Sequence, residues 1–274
     1  MSLTQNMRLE ANQIPFDNWL LQIGNGEISD VSLFHKITHL KCSDEIEAMN
    51  SIINATFPNI NQNITIANCN FVHSRCILAP TNKSVDMIND KILNSMSNAE
   101  TFEKYSIDTV IDSSTSIYPT EFLNTLKPPG FPPHKLILKP GTPLLLLRNL
   151  LPKQGLCNGT RLLFISMVGR HILKCKNLTN GKIVLIPRIK LNTTEKNCFV
   201  LFSRHQFPVT PAFAMTINKS QGQTLGTVGL YLANDVFTHG QLYVALSRVK
   251  KPESLIVVTL KEKLQNIVFN EVLR

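Results

Sequence analysis

The sequence predicts a mixed α/β protein into which a small module of β-strands is inserted. Helical and strand patterns alternate over residues 1–126, and the alternation returns after Pro211. Between these regions, residues 135–208 show short, closely spaced strand patterns separated by turn sequences, as in a small barrel. The segment 127–133 contains paired prolines, which neither a helix nor a central strand tolerates, and it predicts a linker before the module.

The first region carries two predicted helices, a strand and a third helix. Residues 14–23 and 43–53 have helical periodicity, and Ser43 suits the N-cap of the second helix. The apolar segment 75–81 predicts a strand, after which Thr81 and Asn82 can cap another helix. Tyr105, Ile107 and Ile111 indicate a further strand.

The module and the last region complete the predicted order of elements. Asn158-Gly159 and Asn180-Gly181 are hairpin turn sequences between predicted strands. After the module we expect a helix over 212–219, which Pro211 would begin, and another over 239–249. The predicted strands are 136–139, 144–148, 161–166, 171–174, 183–186 and 198–202 in the module, and 227–232 and 254–259 after it.

Composition and charge narrow the class of protein. Hydrophobic residues make up 43% of the chain and charged residues 17%, which excludes a disordered tail and a fibre. The net charge of +9 favours a polyanionic partner. No apolar run approaches the roughly 20 residues that a bilayer span needs, and residues 1–8 lack the apolar core of a signal peptide. We therefore expect an intracellular protein with no membrane partner.

The cysteines predict neither a zinc site nor a disulfide framework. None of the six belongs to a C-x-x-C pair, and their spacing is irregular. We expect reduced thiols that pack as small apolar side chains. They are Cys42, Cys69, Cys76, Cys157, Cys175 and Cys198.

The residues that a self-contained nucleotide hydrolase needs are not found in the sequence. A phosphate-binding loop has the pattern G-x-x-x-x-G-K-[ST], but Gly181-Lys182 is followed by Ile183 and reads as a turn. Asp44-Glu45 does not end an apolar strand, so it suits the first turn of a helix better than a metal site. No metal site is predicted.

Three segments carry a specific functional signal. They are Leu3-Thr4-Gln5-Asn6-Met7-Arg8, Phe213-Ala214-Met215-Thr216-Ile217-Asn218-Lys219-Ser220-Gln221-Gly222-Gln223-Thr224, and Gly240-Gln241-Leu242-Tyr243-Val244-Ala245-Leu246-Ser247-Arg248-Val249. In this order they resemble motifs IV, V and VI of superfamily-one helicases, in the Helitron transposon form of the Pif family. Matching strings at 16–21, 78–82, 118–124, 147–150 and 155–161 extend the resemblance over nearly the whole chain.

The resemblance implies a fold and a set of partners. It implies a second RecA-like helicase domain, in segments 1–134 and 209–274, with an SH3-like β-barrel inserted at 135–208. The first RecA-like domain, which holds ATP and Mg²⁺, would precede Met1. ATP and Mg²⁺ are then expected only in the complete helicase and not on this chain alone. Single-stranded DNA and the missing ATP-binding domain are the implied partners, with 5′-to-3′ movement and, as in eukaryotic Helitrons, a nuclear location. The sequence indicates no oligomeric state.

The resemblance also assigns roles to individual residues. Arg248, and after it Arg8, would be arginine fingers, since a planar guanidinium can meet the charge that develops in phosphoryl transfer. By position alone, Arg248 is equally a solvated arginine at a helix end. Gln5, Gly222 and Gln223 are assigned to the nucleotide.

DNA contacts are assigned to two groups of residues. Thr216, Lys219, Ser220 and Gln221 belong to motif V, whose composition suits a loop that grips a sugar-phosphate backbone. Thr81 and Asn82 are either phosphate ligands or a plain helix cap, and Asn158 and Gly159 are either a DNA-contacting loop or a hairpin turn. Basic residues of the module form either a DNA-facing stripe or a solvated surface: Lys153, Arg161, Arg170, Lys174, Lys176, Lys182 and Arg188.

Two other functions remain open at this point. The chain could be a DNA-binding or partner-binding module without catalysis, or a transposon-derived fragment with no present role. Salt-dependent DNA binding would distinguish the first from the second.

Overall fold

The chain folds into two compact units. A computed structural model describes residues 14–97, 99–111, 118–269 and 271. The α/β unit comprises the described residues up to Asn63, together with Asn70–Ser95 and the described residues from Phe213 onward. The β-rich unit comprises Ile64–Cys69 and Met96–Ala212. The β-rich unit thus interrupts the α/β unit in the sequence, and it takes in described residues between 96 and 134, which the expected bounds place in the first segment of the α/β domain.

The α/β unit is built on a parallel sheet of five strands in the order β14-β3-β15-β16-β2. These are β2 (Thr38–Lys41), β3 (Arg75–Ala79), β14 (Ala214–Thr216), β15 (Thr227–Leu232) and β16 (Leu255–Thr259). A small antiparallel pair joins β1 (Asp30–Val31) to β17 (Leu264–Gln265). The central strands are apolar and almost wholly buried, as expected for a parallel sheet with helices on its faces.

Helices cover this sheet. They are α1 (Ile14–Gly24), α2 (Glu45–Thr56), α3 (Ile60–Asn63), α4 (Cys69–His73), which starts at the last residue of the β-rich unit, α5 (Asn82–Ser95) and α7 (Gln241–Leu246). The end of α2 approaches β15 so closely that a Cβ at Gly229 would overlap Thr56 Oγ1. A glycine is therefore required at that point of β15.

The start of α2 corrects one predicted cap. The N-cap is Asp44 and not Ser43, because Asp44 Oδ1 accepts from the backbone N–H groups of Ile46 and Glu47, each at 2.8 Å. Ser43 contributes differently, since its backbone N–H and its hydroxyl both donate to Glu47 Oε2 at 2.7 Å. These bonds lower the pKa of the exposed Glu47 carboxyl.

The β-rich unit contains three antiparallel sheets. Its strands are β4 (Phe102–Tyr105), β5 (Ile107–Val110), β6 (Lys135–Leu138), β7 (Pro143–Leu146), β8 (Arg161–Val168), β9 (Ile172–Asn177), β10 (Ile183–Pro187), β11 (Ile189–Asn192), β12 (Phe202–Gln206) and β13 (Val209–Pro211), and its helix is α6 (Thr120–Thr125). The sheet orders are β10-β9-β8-β7-β13, β11-β12-β5 and β4-β6. Leucines from β6, β7 and β8 form the main apolar core with Phe164 and Phe207.

The predicted closed barrel is not found in the described part of the β-rich unit. Its five-stranded sheet ends at β10 and β13, and these outer strands are not paired with each other. Strands β4 and β5, which precede the predicted module, also belong to this unit through β6 and β12.

The proline-rich segment is part of the β-rich unit and does not link two domains. The guanidinium of Arg204, which is fully buried, donates to the carbonyl oxygens of Leu126 and Pro132, each at 3.1 Å. Arg204 also binds both oxygens of Asp108, which is buried on β5. The paired prolines do end regular structure, but backbone carbonyls around them satisfy a buried arginine.

Three further expectations are corrected. The helix predicted over 212–219 is β14 followed by a single 3₁₀ turn, Ile217–Ser220, and Pro211 ends β13. The strand predicted over 198–202 begins only at Phe202. The helix predicted over 239–249 is the shorter α7. Among the described helices, none combines the length and the apolar character that crossing a bilayer requires.

Candidate functional site

Two assigned segments of the α/β unit meet at one edge of its parallel sheet. Strands β3 and β14 are neighbours, and Ala79 at the end of β3 pairs with Thr216 at the end of β14. The chain leaves β3 toward Thr81 and Asn82 and leaves β14 toward the 3₁₀ turn that carries Lys219. The carboxyl-terminal edge of an open parallel sheet is where such folds bind their ligands.

Thr81 is the cap of α5. Its Oγ1 accepts from the backbone N–H of Ser84 at 3.2 Å and lies 2.9 Å from Ser84 Oγ. The helix-cap interpretation is therefore confirmed for Thr81. Asn82, the first residue of α5, is exposed at the same edge.

The motif V loop, residues 216–223, presents some of its side chains and buries others. Ser220 is fully buried and its hydroxyl donates to the carbonyl oxygen of Ile217 at 2.6 Å, so this hydroxyl faces inward. Gln221 and Gly222 are exposed, and Gly222 has a φ of 79°, a conformation that favours glycine. Thr216 precedes the 3₁₀ turn without a side-chain cap bond.

Lys219 lies on the 3₁₀ turn that follows β14, and its side chain is exposed. Partial desolvation lowers the pKa of the Lys219 ammonium, and the Asp86 carboxylate on α5 opposes that shift. Strand β14 packs against α5, and the 3₁₀ turn contacts both β14 and β3. The structure thus brings Thr81, Asn82 and Lys219 to one region, although their sequence positions are far apart.

Arg248 lies against the motif V loop from the other side. It follows α7 and is only 6% exposed. Its Nη1 donates to the carbonyl oxygens of Ser220 at 3.3 Å and Gln223 at 3.4 Å. Its Nε donates to Val244 O at 2.7 Å, and its Nη2 donates to Ser247 Oγ at 2.8 Å. A guanidinium that projects toward a nucleotide on another domain is therefore not the geometry of this structure.

Two glutamines of the motif segments have a buried amide atom: Gln223, which the resemblance assigns to the nucleotide, and Gln241, which was not assigned a role. Gln223 Oε1 and Gln241 Nε2 are buried and have no hydrogen-bond partner within the described residues. Gln241 is 2% exposed, and its Oε1 accepts from the backbone N–H of Phe237 at 3.0 Å. Their presence in the two motif strings was visible in the sequence, but their burial was not.

The assigned loop of the β-rich unit is a turn between β7 and β8. The backbone N–H of Asn158 donates to Asn149 Oδ1 at 2.7 Å, and that of Gly159 donates to Leu146 O at 2.8 Å. Gly159 has a φ of 87°, and a Cβ there would meet no atom within 4 Å. The turn interpretation is confirmed, and Asn158 is exposed on it.

The basic residues of this unit do not form one solvated row. Arg161 is buried, and Arg188 donates to the carbonyl oxygen of Tyr105 at 2.7 Å and lies over the ring of Phe207. Lys176 contacts the Cys69 sulfur at 3.2 Å. The exposed members are Lys153, Arg170 and Lys182.

Arg8 and Gln5 lie outside the described residues. Within the described ranges, no group of three or more His, Cys, Asp or Glu side chains could hold a metal ion. All six cysteines are free thiols, as predicted, and burial raises the pKa of Cys175 to about 12.

Comparisons with known proteins identify the relatives of this chain. The family model described as DNA helicase Pif1, 2B domain, matches residues 121–167, and a herpes helicase model described as Helicase matches residues 188–268. The chain is 36% identical over 126 residues to the human ATP-dependent DNA helicase PIF1, a match that covers 45% of this chain and 19% of the human protein. It is 31% identical over 166 residues to ATP-dependent DNA helicase Pif1 of Bdellovibrio bacteriovorus, covering 59% of this chain and 37% of that protein.

Solved structures show the same relationship in the fold. The crystal structure of Pif1 helicase from Candida albicans has a TM-score of 0.54 and 25% identity, covering 79% of this chain and 53% of that one. The structure of Pif1 helicase from Bacteroides in complex with ADP-AlF3 and ssDNA has a TM-score of 0.62 and 20% identity, and covers 100% of this chain and 55% of that one. The chain thus spans only part of the proteins that it resembles. In sequence and in fold, the chain is therefore similar to Pif1 helicases.

Proposed function

We propose that this chain supplies the second RecA-like domain of an ATP-dependent 5′-to-3′ DNA helicase of the Pif/Helitron type. In this proposal it grips single-stranded DNA and contributes arginines to a nucleotide that residues outside this sequence hold together with Mg²⁺. The β-rich unit corresponds to the SH3-like insertion, and the protein acts in the nucleus. Arg248 and Arg8 are the proposed fingers.

One observation carries the proposal. The segments assigned to motif V and to the helix cap at Thr81 meet at the carboxyl-terminal edge of a parallel sheet, and Arg248 contacts the same loop. Backbone groups, hydroxyls and a lysine at one edge suit a sugar-phosphate chain. The Bacteroides relative, whose structure contains ADP-AlF3 and ssDNA, supports both ligands for the complete protein.

The finger role requires Arg248 to move. Its guanidinium would exchange the carbonyl oxygens of Ser220 and Gln223 for a phosphate when the ATP-binding domain closes. Carbonyl and phosphate oxygens both accept hydrogen bonds from a guanidinium. The phosphate binds it more strongly because the phosphate is charged. The exchange would also release the motif V loop, which is the proposed link between nucleotide and DNA.

A complementation assay tests the motor role. The chain is mixed with a separately produced ATP-binding domain of a Pif relative, and DNA-stimulated ATP hydrolysis is measured. We expect turnover in the mixture, none from the chain alone, and a loss of about a thousandfold or more with Arg248→Ala. Lys250→Ala, an exposed lysine two residues further on, is the matched control and should retain turnover. Turnover by the chain alone would contradict the proposal.

A salt titration tests the DNA contact. We expect Lys219→Ala to weaken binding of single-stranded DNA and to reduce the salt dependence of the binding constant by about one ion. Lys250→Ala again serves as the control. If Lys219→Ala and Lys250→Ala bind DNA equally well at every salt concentration, the motif V loop is not the DNA contact.

The burial of Arg248 favours a second candidate function. An arginine already bonded inside its own unit suits a DNA-binding module that performs no catalysis. This module would bind DNA through the same edge. The complementation assay distinguishes the two functions. A module without catalysis would give no DNA-stimulated ATP hydrolysis in the mixture, so Arg248→Ala would have no turnover to reduce.

A further inference from the structure

Two exposed phenylalanines of the α/β unit lie outside all the assigned residues, since Phe237 is 58% exposed and Phe269 is 52% exposed. The Phe269 ring is stacked on that of His239, which follows Phe237 by two residues in the chain. These three residues are called here the aromatic patch. Single exposed apolar side chains are common on proteins, but a group of rings held together is a recognised feature of binding sites.

The aromatic patch lies beyond the carboxyl-terminal end of a central strand. Phe237 and His239 belong to the segment that follows β15, and this segment leads into α7. Strand β15 is parallel to β3, so the segment leaves the sheet at the edge that also carries Thr81. Ligands of open parallel sheets bind at this edge.

Hydrogen bonds fix the rings in advance. The His239 and Phe269 rings are stacked, with centroids 5.8 Å apart and an angle of 15° between their planes. The backbone N–H of Phe269 donates to His239 Nδ1 at 2.9 Å, and that of Gly240 donates to Ile267 O at 2.9 Å. The backbone N–H of Phe237 donates to Gln241 Oε1. Because the His239 and Phe269 side chains are already ordered in the free protein, binding of a flat ligand would cost less side-chain entropy.

The chemistry of the patch fits a nucleobase. A nucleobase is a flat ring that can stack on an exposed aromatic ring. Such stacking is possible for every base, because each base has a π-face. The net charge of +9 favours a ligand that also carries phosphate. We propose that Phe237, His239 and Phe269 form a nucleobase-stacking site, filled by a base of single-stranded DNA or of a free nucleotide. The inference rests on the proposed function, since it adds a contact at the same sheet edge.

The test uses the full chain and three probes. Fluorescence anisotropy measures binding of a short oligothymidylate and of an abasic oligonucleotide of equal length, and equilibrium dialysis measures binding of ADP. We expect Phe237→Ala with Phe269→Ala to lower oligothymidylate affinity roughly tenfold or more, with abasic binding and the salt slope unchanged. If ADP affinity falls instead, the base belongs to a free nucleotide, which also supports the site.

The control is an exposed ring elsewhere. Phe199 is 75% exposed in the β-rich unit, and Phe199→Ala should leave all three affinities unchanged. Thermal unfolding verifies that the double variant is folded, and each single substitution, with a smaller expected loss, replaces it if it is not.

The outcomes separate this site from the proposed function. Salt-sensitive oligothymidylate binding that the double variant retains in full overturns the site and leaves the proposed function standing. Equal losses for abasic and normal DNA, or an equal loss in Phe199→Ala, also overturn the stacking site. A wild-type chain that binds neither DNA nor ADP overturns both.

Discussion

Arg204 of the β-rich unit and Arg248 of the α/β unit are both buried, and they are held by different hydrogen bonds. In the β-rich unit, Arg204 is fully buried and binds the Asp108 carboxylate, with Nη2 2.6 Å from Oδ2. In the α/β unit, Arg248 is 6% exposed, and the bonds described above run to backbone carbonyl oxygens and a hydroxyl. The two arginines are thus alike in burial and differ in the hydrogen-bond acceptors described here.

The two arginines also differ in whether an anionic ligand could replace their hydrogen-bond acceptors. Arg204 is neutralised by a carboxylate inside its own core, and carbonyl oxygens of Leu123, Leu126 and Pro132 complete its bonds. Removing it would leave a buried negative charge. Two acceptors of Arg248, the carbonyl oxygens of Ser220 and Gln223, belong to a loop at a sheet edge, where an anion would compete with them.

The largest expected effect tests the Arg204 side of this comparison. We expect Arg204→Met to lower the free energy of unfolding by about 3–5 kcal/mol, because Asp108 would remain buried without its partner. Urea denaturation, monitored by fluorescence, measures the change. Arg204→Met combined with Asp108→Leu should recover part of the loss. A double variant less stable than the single one would show that the ion pair is not the main reason for the loss.

The next effect tests the Arg248 side. Arg248→Ala removes the hydrogen bonds to the carbonyl oxygens of Val244, Ser220 and Gln223 and to the Ser247 hydroxyl. We expect a loss of about 1–3 kcal/mol in the free energy of unfolding, smaller than that of Arg204→Met in the same urea assay. Equal losses for the two variants would remove the distinction between the arginines.

The smallest effect is a pH dependence at the Arg204 site. His134 Nδ1 lies 2.7 Å from Ser106 Oγ, which donates to Asp108 Oδ1 at 2.7 Å. Burial lowers the pKa of His134 below its ordinary value of 6.5; Asp108 opposes this shift and Arg204 adds to it. The Tyr105 ring lies against the same imidazole.

This lowered pKa fixes the direction of the effect. Between the folded pKa and 6.5 the unfolded chain binds more protons than the folded protein, so stability rises with pH through that window and falls as the pH is lowered. His134→Gln should flatten urea midpoints measured on both sides of 6.5. The pKa of His39 in the α/β unit is also lowered, by burial and then by Lys41, and gives a slope of the same sign. The double variant His134→Gln with His39→Gln is therefore the reference, in which we expect the urea midpoint to depend least on pH. If His134→Gln leaves the pH dependence of the midpoint unchanged, the prediction is contradicted.

Hydrophobic periodicity in the sequence predicted the elements whose stability depends mainly on burying one apolar face. The strand 227–232 was predicted with its bounds. Helix α5 was predicted from the spacing of Val85, Ile88, Ile92 and Met96, of which all but Val85 are buried. The helix predicted over 212–219 was wrong because Ala214–Thr216 pairs with β3, a partner that is distant in sequence. Tertiary pairing overrode helical propensity at that point.

The candidate site was predictable as a set of strings but not as a geometry. The motif strings named Arg248, Lys219 and Thr81. Their resemblance could not indicate that the Arg248 guanidinium binds the carbonyl oxygen of Ser220, because that contact depends on backbone conformation. The aromatic patch was also invisible, since Phe269 reaches His239 only through the folding of the chain beyond β17.

The position of the insertion constrains the order in which the protein is made. Strands β3 and β15 are neighbours in the parallel sheet, yet the β-rich unit is translated between them. On the ribosome, β3 lacks its partner β15 until residues 227–232 have emerged, so one apolar edge of β3 stays uncovered until then. The inserted unit is nearly contiguous and can fold during that delay, so shielding of the waiting strand by a chaperone would matter most in this interval.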